Sequence, residues 1–218
     1  MARAWAADAD QNQGLVLKGS GGASVEYGFA SNESADVIIR PRLIVQSVVG
    51  PVATPTVTPE QATPKPTDTV WPADTATSPA PSTPTATPQH TPSLTPSPVA
   101  TSEESVFYAA SDTYINSWYP STNYDAAQYI NVRQGDVMAA LLRFDAAALA
   151  GREVRSAKLE LYAAKRSNTA ALTVSAYRVL GPWVGKQATW NQASTGVAWG
   201  SPGCNGEGTD RDAAVYSA

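Results

Sequence analysis

Short segments in which apolar and polar residues alternate run through much of this chain. In KLELYA, at 158–163, the two leucines and the final alanine alternate with Lys, Glu and Tyr. The segments LTVSAYRV at 172–179 and ALLRFDA at 140–146 repeat the same period of two. Side chains of a β-strand point alternately to the two faces of a sheet, so this period predicts strands with one buried face.

The strand candidates of residues 105–218 follow one another at short intervals, with Gly, Asn, Ser and Pro between them. This pattern is typical of an all-β fold and predicts an antiparallel β-sandwich. A short helical turn is expected at AALAGREV. The strand candidates are SVFYAA at 105–110, TYINSW at 113–118, QYINVRQ at 128–134, MAALLRFD at 138–145, VRSAKLELYAAK at 154–165 and LTVSAYRVL at 172–180.

Residues 1–49 carry three further strand candidates, GLVLKG, SVEYGFAS and RPRLIVQSVV, after a short helix at MARAWAADA. The glycines at 19–22 predict a hairpin turn between the first two strands, because no helix follows them as a phosphate-binding loop would require. A stretch of this length is too short to bury a core of its own. These strands therefore need a partner elsewhere.

Residues 50–104 separate the two strand-rich parts and hold most of the chain's 17 prolines, among many threonines. Repeated Thr-Pro and Ser-Pro steps favour polyproline II and remove backbone donors. We predict a long disordered Pro/Thr linker, because little apolar surface is available to offset chain entropy. Ser/Thr/Pro stalks of this kind are often extracellular.

Composition narrows the classes of function. The net charge is -4 and only 16% of residues are charged, so a nucleic-acid partner is not expected. No apolar run is long enough to span a membrane. The opening MARAWAADADQNQ has no apolar core of a signal peptide, so we expect either that the true N-terminus is missing or that this product begins at an internal Met. The Pro/Thr tract suggests a fragment of a secreted or cell-surface protein. Cys204 is the single cysteine and is expected to be a free surface thiol.

The single histidine, His90, lies in the Pro/Thr tract, where no fold would hold it as a catalytic base. Carboxylate chemistry such as glycoside hydrolysis stays open in principle, but no spacing singles out a pair. We therefore predict that the chain is not an enzyme.

Several motifs in a fixed order resemble the DNRLRE domain family. They are an Asp-Thr-Tyr opening at 112–114, an Asn-Tyr turn at 123–124, the LLRFD strand at 141–145, and a pair of tryptophans, Trp183 and Trp190. Such domains are secreted β-sandwich jelly rolls, often repeated in tandem or joined to polysaccharide-active enzymes. Some are carbohydrate-binding modules, including ones that bind acidic polysaccharides.

The resemblance implies two partial copies of such a domain. Residues 1–49 look like the C-terminal strands of a preceding domain, and residues 105–218 look like the N-terminal two-thirds of a second one, so the jelly roll is expected to be incomplete. Neighbouring repeats are expected partners. The first piece could dock onto the second through unsatisfied sheet edges, or the two could stay apart and be aggregation-prone.

Exposed aromatic and basic side chains are the candidate ligand-binding residues. Sugar rings stack on aromatic faces, and guanidinium groups bind the carboxylates of uronic acids. The alternative for Tyr162 and Tyr177 is cross-strand packing, and for Arg143 a structural ion pair with Asp145. Trp183 and Trp190 are expected in the core. The candidate binding residues are Trp118, Tyr119, Arg133, Arg143, Tyr162 and Arg178, with Tyr129 and Tyr177 as further members of the platform.

Asp112, Asn116 and Asp145 are candidate ligands for a structural Ca²⁺, since this ion prefers carboxylate and carbonyl oxygens. The alternative for Asp112 is an ordinary turn hydrogen bond. No certain cofactor is indicated. The sequence thus predicts a non-catalytic extracellular module of a larger multi-domain protein that binds a uronic-acid-containing or neutral polysaccharide. A purely structural or adhesive repeat is the alternative, and a polysaccharide-degrading enzyme a more distant one.

Overall fold

The computed structural model describes residues 1–21, 24–49 and 101–216, so residues 50–100 of the predicted linker lie outside the described residues. One helix, α1, spans Ala2–Ala7, and short 3₁₀ turns span Ala9–Gln11, Val37–Ile39 and Ala147–Leu149. The strands are β1 Leu15–Ser20, β2 Glu26–Ala30, β3 Arg42–Val49, β4 Thr101–Asn116, β5 Tyr129–Arg133, β6 Met138–Phe144, β7 Glu153–Glu160, β8 Ala163–Arg166, β9 Thr173–Arg178, β10 Gln192–Ser194 and β11 Val197–Ala198.

The predicted all-β antiparallel sandwich is confirmed. Within the described residues, nine strands form one sheet, and seven of them follow the order β7-β3-β4-β6-β5-β2-β8. The other two lie outside this order, where β1 pairs with β6 and β9 pairs with β1. The sheet is curled, because strands from its opposite ends contribute to the same core. No helix among the described residues is long and apolar enough to cross a membrane.

The three strands of residues 1–49 lie inside the sheet. β3 pairs with β4 and β7, β2 with β5 and β8, and β1 with β6 and β9. The docked arrangement is therefore the one that the structure has, and the described residues of 1–49 and 101–216 form one compact unit. That residues 1–49 derive from a preceding repeat stays a prediction.

The predicted hairpin between β1 and β2 is wrong, because in the described part of the chain the two strands pair with different neighbours. The predicted strand at 154–165 is in fact two strands, β7 and β8, which lie at opposite ends of the sheet order. Conversely, the segments at 105–110 and 113–118 belong to the one long strand β4.

The linker ends four residues earlier than predicted, because β4 begins at Thr101. Thr101 is the register partner of Val49, so the polar stretch 101–104 completes the ladder along β3. Two side-chain contacts support it: Gln46 Nε2 donates to Glu104 Oε2 at 2.6 Å, and Arg152 pairs with Glu103. Backbone pairing with β3 thus holds these four residues in a strand, although they have few apolar side chains.

The adjacency of Val49 and Thr101 predicts that residues 50–100 are dispensable for folding. Replacing them with a two-residue Asn-Gly turn should preserve the fold and stabilise it by about 2–3 kcal/mol, because a much shorter loop is closed. Urea denaturation measures the change. A Gly/Ser tract of the original length is the control and should leave stability unchanged, whereas loss of the cooperative transition in the Asn-Gly variant would contradict the prediction.

The inner core lies between the facing halves of the curled sheet. α1 closes one end of it with a buried tryptophan, and Leu149 of the confirmed turn at 147–149 packs nearby. Its buried members are Ala2, Trp5, Ala6, Leu15, Leu17, Phe29, Leu43, Val45, Ile130, Val132, Ala140, Leu142, Phe144, Ala146, Leu149 and Val154.

A second core covers the outer side of β1, β4 and β6 with the long segment that follows β9. Trp183 is fully buried there, and Trp190 is half-buried against it, in line with the packing expected of both. Cys204 is also buried in this core, so the predicted surface position is wrong, and burial raises the pKa of its thiol to about 12. β6 is therefore buried on both faces, with Leu142 in the inner core and Leu141 in the second.

Candidate functional site

The outer face of β5, β2 and β8, which we call the aromatic–cation face, exposes Tyr129, Tyr162 and Lys165 around a buried centre. Ala30, Gly28 and Asn131 form that buried centre. Strand register sets its residues in rows across the three strands, and the amide of Ala30 donates to the carbonyl of Tyr162 at 3.0 Å. The rows are Tyr129–Ala30–Tyr162, Asn131–Gly28–Lys165 and Arg133–Glu26, with Trp118 from the loop after β4 beside the last of these.

The inner core identifies which side of the three strands these rows occupy. Phe29, Ile130 and Val132 are buried in the core. Since neighbouring residues of a strand point to opposite faces, Tyr129 and Arg133 lie on the other side of β5. Four residues of β5 extend about 13 Å. The face is therefore long enough to contact a short run of sugar rings.

Arg133 holds one end of the face in place. Its guanidinium donates to Glu26 Oε2 at 3.2 Å and to Ser24 Oγ at 2.6 Å, and it lies 4.8 Å from the centroid of the Trp118 ring. Trp118 is 56% exposed, and its amide donates to Asn116 Oδ1 at 2.9 Å. One face of the indole is thus covered by a cation while much of the side chain stays accessible.

Lys165 lies across the centre of the face. Its Nζ is 4.7 Å from the centroid of the Tyr129 ring, and it forms no salt bridge with the described residues. Any side chain at Gly28 would collide with the Lys165 stem and with Asn131. Glycine is therefore required on β2 for the lysine to reach the tyrosine.

Several of the sequence-predicted binding residues meet at this face. Trp118, Arg133, Tyr129 and Tyr162 belong to its rows or border them, and Tyr119 follows Trp118 in the same exposed loop. Tyr162 and Tyr119 are both largely exposed. Their aromatic surface is available to a ligand.

The other predicted binding residues lie elsewhere. Arg143 packs its guanidinium 5.3 Å from the ring centroid of Trp183 and donates to the Trp183 carbonyl at 3.3 Å. Arg178 forms a two-point ion pair with Asp212, at 2.9 and 3.2 Å. Tyr177 packs against the second core. These contacts are structural. For Tyr177 they agree with the alternative of packing within the sheet.

The three predicted calcium ligands are not brought together. Asp112 pairs in register with Leu142 and Asn116 with Met138, so they are about 13 Å apart along β4. Asp145 is exposed after the end of β6, where its Oδ1 accepts from the Ala147 amide. Within the described ranges, no group of three His, Cys, Asp or Glu side chains could hold a metal ion.

Sequence reasoning missed Lys165, Asn131 and Gly28. The Lys165–Arg166 pair, which begins three residues after Tyr162, was an available signal for a cation at this face. The role of Gly28 could not be found in this way, because it depends on an irregular register between β2 and β8 at residues 28–29.

One of three comparisons with known proteins gave a match. Neither the curated proteins nor the solved structures gave a match. Residues 103–204 match the model of carbohydrate-binding module family 96, a range that includes Trp118, the whole of β5 and Lys165. That family does not bear the DNRLRE name, which stays a prediction. On this match, residues 103–204 are similar to a carbohydrate-binding module.

Proposed function

We propose that the protein binds an anionic polysaccharide, one containing uronic acids, on the aromatic–cation face. The observation that carries the proposal is the exposed Lys165 ammonium, which has no acidic partner in the described part of the chain and lies against the Tyr129 ring. A carboxylate of the ligand would supply the missing partner in a charge-assisted hydrogen bond.

Aromatic side chains would provide the remaining contact area. Sugar rings present C–H groups that pack on aromatic faces. Tyr129 and Tyr162 offer such faces at one end of the three strands, and Trp118 offers one beside Arg133 at the other end. Arg133 would contribute less charge than Lys165, because Glu26 already neutralises part of it. Its main part is to hold the Trp118 ring.

We also propose an extracellular, non-catalytic role within a larger multi-domain protein. The support is the Thr/Pro-rich composition of the tract between β3 and β4, because Ser/Thr/Pro-rich tracts are typical of extracellular proteins. The binding module would then keep a neighbouring domain close to its polysaccharide.

Replacing Lys165 with alanine should weaken binding to a polyuronate about tenfold, the usual cost of one charge-assisted contact. Isothermal titration calorimetry with an oligouronate measures the dissociation constant. Lys158→Ala is the matched control, because Lys158 is an exposed lysine on β7, at the far edge of the sheet, and pairs with Glu160. It should bind as the parent does.

Affinity electrophoresis separates the alternatives. Retardation by a polyuronate that weakens with added salt, without retardation by a neutral glucan, supports the proposal, because screening weakens exposed ion pairs. Retardation by the neutral glucan alone would remove the acidic specificity. No retardation by either would favour a structural repeat, and release of reducing sugar would favour an enzyme.

A further inference from the structure

A buried carboxylate on β4 lacks a partner for one of its oxygens. Asp112 is 1% exposed, and its Oδ2 accepts from the Asn32 amide at 2.6 Å. Its Oδ1 is buried and has no hydrogen-bond partner among the described residues. A buried acceptor without a partner costs about 1–3 kcal/mol, and more if it is charged. The position therefore requires a compensating group.

A second buried oxygen without a hydrogen-bond partner belongs to the residue that contacts Asp112. Asn32 Oδ1 is also buried without a partner in the described part of the chain. Asn32 lies in the turn of residues 31–34, where the Ser34 amide donates to the Ser31 carbonyl at 3.1 Å. Two unpaired acceptors, one charged, thus belong to two residues in direct contact.

The charges around this point favour a cation. The carboxylates of Glu33 and Asp125 are close enough to act on the buried Asp112 carboxyl group. Arg40 opposes them, but its Nε is engaged with the Ser34 carbonyl at 2.9 Å. The surroundings of Asp112 are therefore both poorly solvated and acidic.

We propose that a calcium ion binds between Asp112 on β4 and the turn of residues 31–34, with Asp112 Oδ1 and Asn32 Oδ1 as its side-chain ligands. Calcium accepts six to eight oxygen ligands in irregular arrangements, including backbone carbonyls and water, whereas magnesium demands a near-ideal octahedron. One carboxylate and one amide make a weak to moderate site. This site uses neither Asn116 nor Asp145.

Such an ion would join the two parts of the chain. Asn32 belongs to residues 1–49 and Asp112 to the first strand after the Pro/Thr tract. The ion would therefore stabilise the attachment of β2 and the turn after it to the rest of the sheet. Its effect should appear as a change in stability and would not require a polysaccharide.

The test uses the full chain at pH 8, freed of metal by a chelator. Titration with CaCl₂ should raise the thermal midpoint by about 5 °C at saturation, with one ion bound per chain by equilibrium dialysis. Terbium should bind at the same site and give luminescence sensitised by nearby tyrosines. Asp112→Asn should remove the calcium response, whereas the matched control Asp145→Asn, an exposed carboxylate, should keep it.

Two results would overturn the proposal. Folded parent protein that binds neither calcium nor terbium would show that the carboxyl is compensated by a proton instead. A calcium response of equal size in Asp112→Asn would move the ion to another site. The parent titration decides the matter even if Asp112→Asn does not fold.

Discussion

A chain cut once within residues 50–100 is expected to keep residues 1–49 bound to the rest of the molecule. All three strands of the N-terminal segment lie between strands of the C-terminal part, so release would break pairings on both sides of each. The inner core would also lose Leu15, Leu17 and Leu43, which are almost completely buried. Burying each such side chain stabilises the fold by about 1.5–3 kcal/mol.

Polar contacts reinforce this attachment. Lys18 on β1 donates from Nζ to Asp136 Oδ1 at 2.9 Å, to the Gly203 carbonyl at 2.6 Å and to Asn205 Oδ1 at 2.6 Å. Burial lowers the pKa of Lys18, although Asp136 acts in the opposite direction. All three ammonium donors are used, so separation of the segment would leave the buried Gly203 carbonyl and two half-buried side-chain acceptors without this partner.

The experiment inserts a specific protease site in the middle of residues 50–100. After complete cleavage the two fragments should elute together in size-exclusion chromatography at micromolar concentration and separate only in denaturant. Val45→Asp, at a buried position of β3, should release the N-terminal fragment. Ile44→Asp, one residue earlier on the half-buried outer face, is the matched control and should not. Free release from the cleaved parent would contradict the prediction.

The period of two in the sequence was sufficient to predict the strands, but not their neighbours. The segments that became β3, β5, β6 and β9 were all recognised, because each combines alternation with β-branched or aromatic residues. The partners of β1 and β2 could not be read in the same way. A glycine-rich stretch between two strands favours a hairpin. In this chain, burial of β1 between the two cores and of β2 against the inner core determines their strand partners instead.

The second core explains a further difference. Alternation in ALLRFDA suggested one apolar face opposed by Leu141, Arg143 and Asp145. The structure buries Leu141 as well, because the segment after β9 folds over the outer side of β6. A strand covered on both sides no longer shows strict alternation. Nothing in the residues of β6 themselves specifies what will cover them.

The exposure of candidate binding residues was predicted correctly where it followed from a loop or a strand edge. Trp118, in the loop that contains Pro120, and Tyr162, directly before β8, are exposed as expected. The structural roles of Arg143 and Arg178 were less predictable. Arg143 packs on the ring of Trp183 and Arg178 forms an ion pair with Asp212, and both partners lie far along the chain. Long-range partners of this kind determine whether an arginine is structural or free to bind a ligand.

Replacement by alanine should reduce stability at one tryptophan of this chain and ligand affinity at another. Trp183→Ala is expected to destabilise the fold by about 3–5 kcal/mol, the usual cost of removing a buried aromatic side chain. Trp183 is 1% exposed in the second core, and its Nε1 donates to the Gln13 carbonyl at 2.7 Å. Its loss would leave a cavity, an unpaired carbonyl and an Arg143 guanidinium without its ring.

Trp118→Ala is the matched control, and it should cost less than about 1 kcal/mol because the side chain is largely exposed. Urea denaturation measures both changes, and calorimetry with an oligouronate measures binding. Trp118→Ala should lose about tenfold in affinity while remaining folded, since it removes an aromatic surface of the proposed face. Trp183→Ala, assayed at a temperature where it is still folded, should bind as the parent does. Equal stability losses in the two variants would contradict the assignment of one tryptophan to the core and the other to the binding face.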